Sequence, residues 1–192
     1  MTTPRRAATR ERLVEAAIAQ FAASGIDGTS VEQLAEAAGF TRGAFYSNFA
    51  TKDDLCLAIM QRQRDEIVDS LSKAFETAPA GADTQWAFEV ALPQFFLGIG
   101  PTDEFRIVVL EIWLRATRSP ELRAKLNEFT DETRPRIETF LAQLAEQVGL
   151  SFRADISTVM VILEAVFFQA LLDELDPVPL LANAARAISE PA

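Results

Sequence analysis

Apolar side chains recur every three to four residues along almost the whole chain, and no segment alternates apolar and polar residues as a half-buried strand does. This periodicity restricts the chain to helices packed on helices. The local punctuation agrees. Leu13, Ala17 and Phe21 repeat at every fourth position, with Val14 and Ile18 alongside, until Ser24-Gly25 offers a left-handed stop. Val31, Leu34, Ala35 and Ala38 mark the buried face of a short second helix, opened by a capping box of Ser30 with Gln33 or of Thr29 with Glu32. Gly39 supplies a tight turn, and Thr41 caps a third helix that buries Phe45 and Phe49. Thr51 caps a fourth over residues 52–76, with Asp53 and Asp54 at the positive end of its dipole. Five more helices are predicted. They run over 84–97 with a kink at Pro93, from Thr102 to 116, from Ser119-Pro120 to 148 with a bend at Pro135, over 155–175, and from Asp176-Pro177 to 188. The fold class expected is all-α, with about nine helices.

Composition narrows the chemistry. Of 192 residues, 49% are apolar, enough for a sizeable core. Fourteen Phe and two Trp stand against one Tyr, so most aromatic surface lacks a polar handle and belongs inside. There is no histidine, which removes the commonest general base and metal ligand. The one cysteine, Cys56, permits no internal disulfide and reads as a small buried hydrophobe. No catalytic or metal-binding residue is assigned, no cofactor is expected, and an enzyme would have to rest on a carboxylate pair or on Cys56. Residues 1–15 are polar and charged, unlike a secretory leader. The longest apolar run, 156–172, contains Glu164 and Gln169 and falls short of the ~20 residues that span a bilayer. A cytoplasmic location without membrane contact is expected.

The net charge of −10 opposes nucleic-acid binding until its distribution is considered. Residues 1–52 hold six Lys/Arg against five Asp/Glu, and the acidic excess lies entirely in 53–192. Residues 30–49 read as helix, four-residue turn with glycine, helix, the arrangement of a DNA-binding helix-turn-helix. The second of these helices carries Thr41, Arg42, Gly43, Ala44, Tyr46, Ser47 and Asn48 outward. Such small or hydrogen-bonding groups allow close approach to a base edge or phosphate, unlike the Glu/Lys mixture of a solvated helix.

The stretch Gly39-Phe-Thr-Arg-Gly-Ala-Phe-Tyr-Ser-Asn-Phe-Ala-Thr-Lys-Asp-Asp-Leu55, with Gly28-Thr-Ser-Val-Glu-Gln-Leu-Ala35 before it, resembles the helix-turn-helix of TetR/AcrR-family transcriptional regulators. The likeness is detailed over residues 9–60 and general beyond them. It implies a helix-turn-helix domain over 1–52 and a ligand-binding, dimerising domain over 53–192. By the same resemblance, Thr41, Arg42, Gly43 and Ala44 face the major groove, with Arg42 placed for a guanine. Tyr46, Asn48 and Lys52 bind phosphates, Thr29 or Ser30 adds a contact, and Arg5 and Arg6 form a disordered arm toward the minor groove. The family usually has histidine where Asn48 stands. The implied partners are palindromic operator DNA, a small-molecule effector and a second copy of the chain. The implied activity is ligand-responsive regulation, by default repression.

The larger domain supplies ligand-site candidates from its big side chains: Met60, Trp86, Phe95, Phe96, Trp113 and Phe167, with Glu164 as a polar anchor. These equally suit a plain core, and Glu89, Glu111 and Glu164 equally suit pairing with arginines such as Arg106 or Arg115. The segment 156–172 is apolar nearly all round and needs cover on more than one side, which a partner copy would give, with 177–188 beside it. The alternative function is a helical small-molecule-binding protein whose DNA binding is weak or lost.

Overall fold

The computed structural model describes residues 4–76, 78–91 and 102–192. Nine α-helices are described: α1 (Pro4–Gly28), α2 (Val31–Ala37), α3 (Arg42–Tyr46), α4 (Lys52–Glu76), α5 (Thr84–Trp86), α6 (Asp103–Arg118), α7 (Pro120–Gln147), α8 (Ile156–Leu172) and α9 (Pro177–Ala187). The expected caps form. Ser30 and Gln33 close the capping box of α2, Thr41 accepts from the Ala44 amide, and Thr102 and Asp176 cap α6 and α9; Asp155, not assigned as a cap from the sequence, caps α8 as well. At α4 the pairing is reciprocal: Thr51 Oγ1 accepts from Asp54 N, and Thr51 N donates to Asp54 Oδ2, both at 3.1 Å.

Three local expectations change. The helical ladder of α1 breaks at Gly25, whose φ of 71° and ψ of 162° suit glycine alone, and one further turn follows. Of the single helix expected over 84–97, the described part, 84–91, is α5 followed by a π-helical turn, Ala87–Ala91. Proline at 93 has no N–H for the Glu89 carbonyl, which disfavours regular winding there; Pro93, Phe95 and Phe96 themselves lie outside the described residues. Finally, β1 (Leu150–Phe152) pairs antiparallel with β2 (Ser189–Pro191), joining the end of α7 to the end of α9. Three residues are too few to display an alternation, so periodicity could not reveal them.

The chain forms two compact units. One takes the residues up to Gln63 together with α6 and α7 through Phe129; the other takes those from Arg64 and from Thr130 onward. In the first unit, Leu13, Phe21, Leu34, Phe45, Phe49, Leu55 and Ile59 share one core with Val108 and Ile112 of α6 and Leu122 and Leu126 of α7. The helix-turn-helix therefore rests on helices remote in sequence. Cys56 lies in this core, and burial pushes its thiol up to about 12, the behaviour of a hydrophobe. In the second unit, Ala145, Val148 and Leu150 gather Trp86, Phe88 and Phe152, while α8 packs on α9.

Ion pairs tie the start of α4 to α6 and α7. Arg115 bonds Asp53 at 2.6 Å and Asp27 at 2.5 Å, and Lys125 bonds Asp54 at 2.8 Å. The hydrogen bond from Lys125, helped by Thr51, holds the Asp54 carboxyl below its ordinary range. A depressed carboxyl stabilises the fold above its unfolded pKa and loses that contribution as pH falls through its native value. Lys125→Met should therefore reduce stability at neutral pH, and the gap from wild type should close on acidification below about pH 4. Urea unfolding at several pH values reads this directly; a gap that does not change with pH contradicts it.

Candidate nucleic-acid interface

The turn between α2 and α3 is set by backbone geometry. Gly39 has a φ of 73°, Gly39 N donates to Glu36 O at 2.9 Å, and Phe40 N donates to Ala35 O at 2.7 Å. A Cβ at Gly39 would meet only the movable end of Arg12, at 3.0 Å, so it is the left-handed backbone that calls for glycine here. Phe45 and Phe49 anchor α3 in the core with ring centroids 5.8 Å apart. Their burial fixes which side of α3 faces outward.

Thr41, Arg42, Gly43, Tyr46 and Ser47 all lie exposed on that outward side, and Ala44 is half-buried. Tyr46 is 47% exposed and packs edge-on against Phe45, so its ring is braced at the surface. Arg42 Nη1 bonds Glu32 Oε1 of α2 at 2.6 Å, and its guanidinium lies 5.5 Å from the Tyr46 ring centre. Tyr46 first and Glu32 second raise the Arg42 pKa, so its charge is secure. Ser47 Oγ donates to Ala44 O at 2.8 Å.

Other candidates are committed to the fold. Thr29 is buried, and its hydroxyl donates to Gly25 O at 2.8 Å, which leaves Ser30 as the exposed member of that pair. Lys52 Nζ donates to Ile26 O at 2.6 Å and Thr29 O at 3.0 Å, closing the end of α1. One of its three N–H groups is left for a phosphate. Asn48 Nδ2 donates to Ala44 O at 2.8 Å and Ser47 Oγ at 3.2 Å, spending both hydrogens within α3, while its Oδ1 is buried without a donor. In this conformation Asn48 offers no donor to a phosphate.

The N-terminal arm is not seen as expected. Arg5 and Arg6 are helical, because proline at position 4 is preorganised for a first helical turn. Arg6 Nη2 donates to Ser47 O at 2.9 Å, and Arg10 Nη1 to Asn48 O at 3.4 Å, so α1 neutralises the carbonyl end of α3. Arg10 also covers the Phe49 ring at 4.4 Å; burial, then the neighbouring Arg6, lowers its pKa. Arg10 and Glu32 are contributors to the α3 surface that the sequence did not place there. A cation near the helix end and an acid on the preceding helix carry no signal until the fold brings them to α3.

The ligand-site candidates separate. Met60 and Trp113 pack on the core of the first unit, while Trp86 packs in the second. Phe167 meets Phe168 edge-on at 6.3 Å in the second unit. The acids find specific partners: Glu164 bonds Arg134 at 3.0 Å, Glu89 accepts from Gln85 at 3.1 Å, and Glu111 accepts the Ile26 amide at 3.4 Å. Arg106 pairs with Asp103 at 3.1 Å. Among the described residues no cluster has the make-up of a metal site, and no helix is long and apolar enough to cross a membrane.

Residues 13–59 match the family described as "Bacterial regulatory proteins, tetR family". The repressor assigned to the acrEF/envCD operon of Escherichia coli (strain K12) is 39% identical over 74 residues, covering 37% of this chain. That match spans about a third of the relative's own length (34%). The HTH-type transcriptional repressor AcnR of Corynebacterium efficiens is 25% identical over 161 residues, 82% of this chain and 77% of that one. A solved structure of a regulator assigned to the TetR family, from Mesorhizobium loti, superposes with a TM-score of 0.73 at 16% identity, covering 96% of each chain; it shares the fold. With the helix-turn-helix geometry of α2 and α3, these likenesses show that residues 13–59 form a helix-turn-helix of the TetR family of bacterial regulatory proteins, within a chain that shares the fold of solved regulators.

Proposed function

We propose that the protein is a dimeric, ligand-responsive transcriptional regulator of the cytoplasm, a repressor released from its operator by a small apolar or amphipathic molecule. The observation that carries this reading is α3. A five-residue helix is anchored by buried Phe45 and Phe49 and presents Thr41, Arg42, Gly43, Tyr46 and Ser47 to solvent. Small groups around one arginine suit major-groove contact, and Ser30, Tyr46 and the remaining Lys52 N–H suit phosphates. The functional division runs at about residue 52, the reading head before it and the sensing, dimerising part after it.

The exposed face of α8 supports the dimer. Val161, Ala165 and Leu172 are exposed, and Phe168 lies among them on the same stripe, whereas Val159, Met160, Ala170 and Leu171 face inward. An apolar stripe of this kind calls for cover, and a two-fold pairing of α8 and α9 with their copies provides it. Effector action follows by linkage. A ligand that prefers the conformation with the wrong spacing of the two α3 helices weakens DNA binding by its difference in affinity for the two states. Trp86, Phe167 and the Glu164–Arg134 pair of the second unit are the proposed sensing residues, since Met60 and Trp113 pack on the core of the first.

The internal commitment of Asn48 and Lys52 favours a second reading, a helical small-molecule binder with weak or lost DNA affinity. Salt dependence separates the two. Neutralising several phosphates gives a log–log salt slope of several units. Fluorescence anisotropy with duplexes enriched from a randomised library should show that slope, and Arg42→Ala with Tyr46→Ala should weaken binding by about 1–3 kcal/mol or more. No enrichment, or equal affinity of the double variant, leaves the second reading standing.

A further inference from the structure

Glu32 lies on α2, outside the residues assigned to DNA contact, yet its carboxylate reaches the arginine at the start of α3. The Arg42–Glu32 contact at 2.6 Å joins side chains that are 63% and 55% exposed. A pair so exposed adds little to stability. It also costs DNA affinity in the simplest electrostatic view, since a carboxylate beside the reading arginine repels phosphates. Its effect must therefore be sought in geometry. Arg42 is the first residue of α3, and an unrestrained arginine samples many rotamers. Here Glu32 holds one nitrogen while the Tyr46 ring lies 5.5 Å below the guanidinium. Glu32 itself sits in the first turn of α2, whose capping box with Ser30 and Gln33 fixes that turn.

We infer that Glu32 is a positioning residue for Arg42: it orients the guanidinium for a guanine edge and so sets sequence discrimination. This rests on the DNA-binding reading given above. A guanidinium has five N–H groups in a fixed fork, so one end can be held by the carboxylate while others reach O6 and N7 of guanine. Removing the carboxylate frees the cation to take any phosphate in reach. Specificity then falls while non-specific binding rises.

The test compares wild type, Glu32→Ala, Glu32→Asp and Arg42→Ala. The probes are duplexes enriched by the wild-type protein from a randomised library, and the same duplexes with each G·C pair exchanged in turn for A·T. Arg42→Ala locates the contacted pair as the one whose exchange no longer matters. At that pair, Glu32→Ala should lose about fivefold or more of the wild-type discrimination. It should also bind exchanged duplexes more tightly, with a steeper salt slope. Glu32→Asp keeps the charge but is one methylene shorter, so it should lose discrimination with the salt slope unchanged. Equal gains in affinity for original and exchanged duplexes, with discrimination intact in both variants, overturn the inference and make Glu32 a simple repulsive charge. If wild type enriches no duplex, the DNA-binding reading itself falls, and the inference with it.

Discussion

A protein carrying Val161→Asp and Leu172→Asp is expected to sediment as a monomer and to bind its operator about 10²–10⁴-fold more weakly than wild type, the loss that follows when two linked half-site contacts become one. Both side chains are more than half exposed, at 56% and 60%, and they lie about three turns apart on one face of α8. The protomer core does not use them, so its fold should survive. A two-fold interface brings each residue close to its own copy or to a neighbour on the same stripe. Aspartates there would confront one another in a desolvated contact, where unpaired charge is costly. Analytical ultracentrifugation gives the assembly state, and anisotropy on an intact and a half-site duplex gives the affinities. The variant should bind both duplexes alike. A variant that stays dimeric would move the interface away from α8.

The second large effect is on the reading head itself. Phe45→Ala is expected to cost about 3–5 kcal/mol, a large share of the stability of an ordinary domain. Phe45 is fully buried, meets Phe49 and Tyr46, and is the buried residue of a helix only five residues long. So short a helix has no stability of its own and exists because its aromatic anchor is packed. The same core includes Leu55 of α4 and Ile112 of α6, so the loss should spread through the first unit. Denaturant unfolding monitored by circular dichroism should show the midpoint falling sharply, and operator binding should fail with it. A loss below about 1 kcal/mol would mean that the core closes over the gap and that α3 is held by other means.

What the sequence disclosed was local. Ser30, Thr41, Thr102 and Asp176 cap the helices they precede, because a cap is written within four residues. The buried stripe of Leu13, Ala17 and Phe21 was equally plain. What escaped depends on distant backbone. Lys52 reads as a phosphate ligand, and its ammonium group also closes carbonyls at Ile26 and Thr29, a tie with no sign in the sequence. Arg6 looked like part of an arm, yet it bonds the Ser47 carbonyl 41 residues away. Asn48 turns its amide inward for the same reason: a carbonyl freed at the end of a short helix is the nearest acceptor. Each is a polar group meeting an unsatisfied carbonyl, and nothing in one-dimensional spacing forecasts which carbonyl will be near. Glu32 escaped likewise, since ten residues separate it from Arg42 and only the turn at Gly39 brings them together.

Guanine-N7 methylation interference on an enriched operator tests most directly whether α3 of each protomer occupies a major groove. The account predicts two clusters of interfering guanines, related by the operator's two-fold axis, with centres about one helical turn apart or slightly more, roughly 34–36 Å. Arg42→Ala should erase interference at one guanine in each cluster. Binding that is indifferent to N7 methylation, or a single cluster without a symmetric mate, would contradict it.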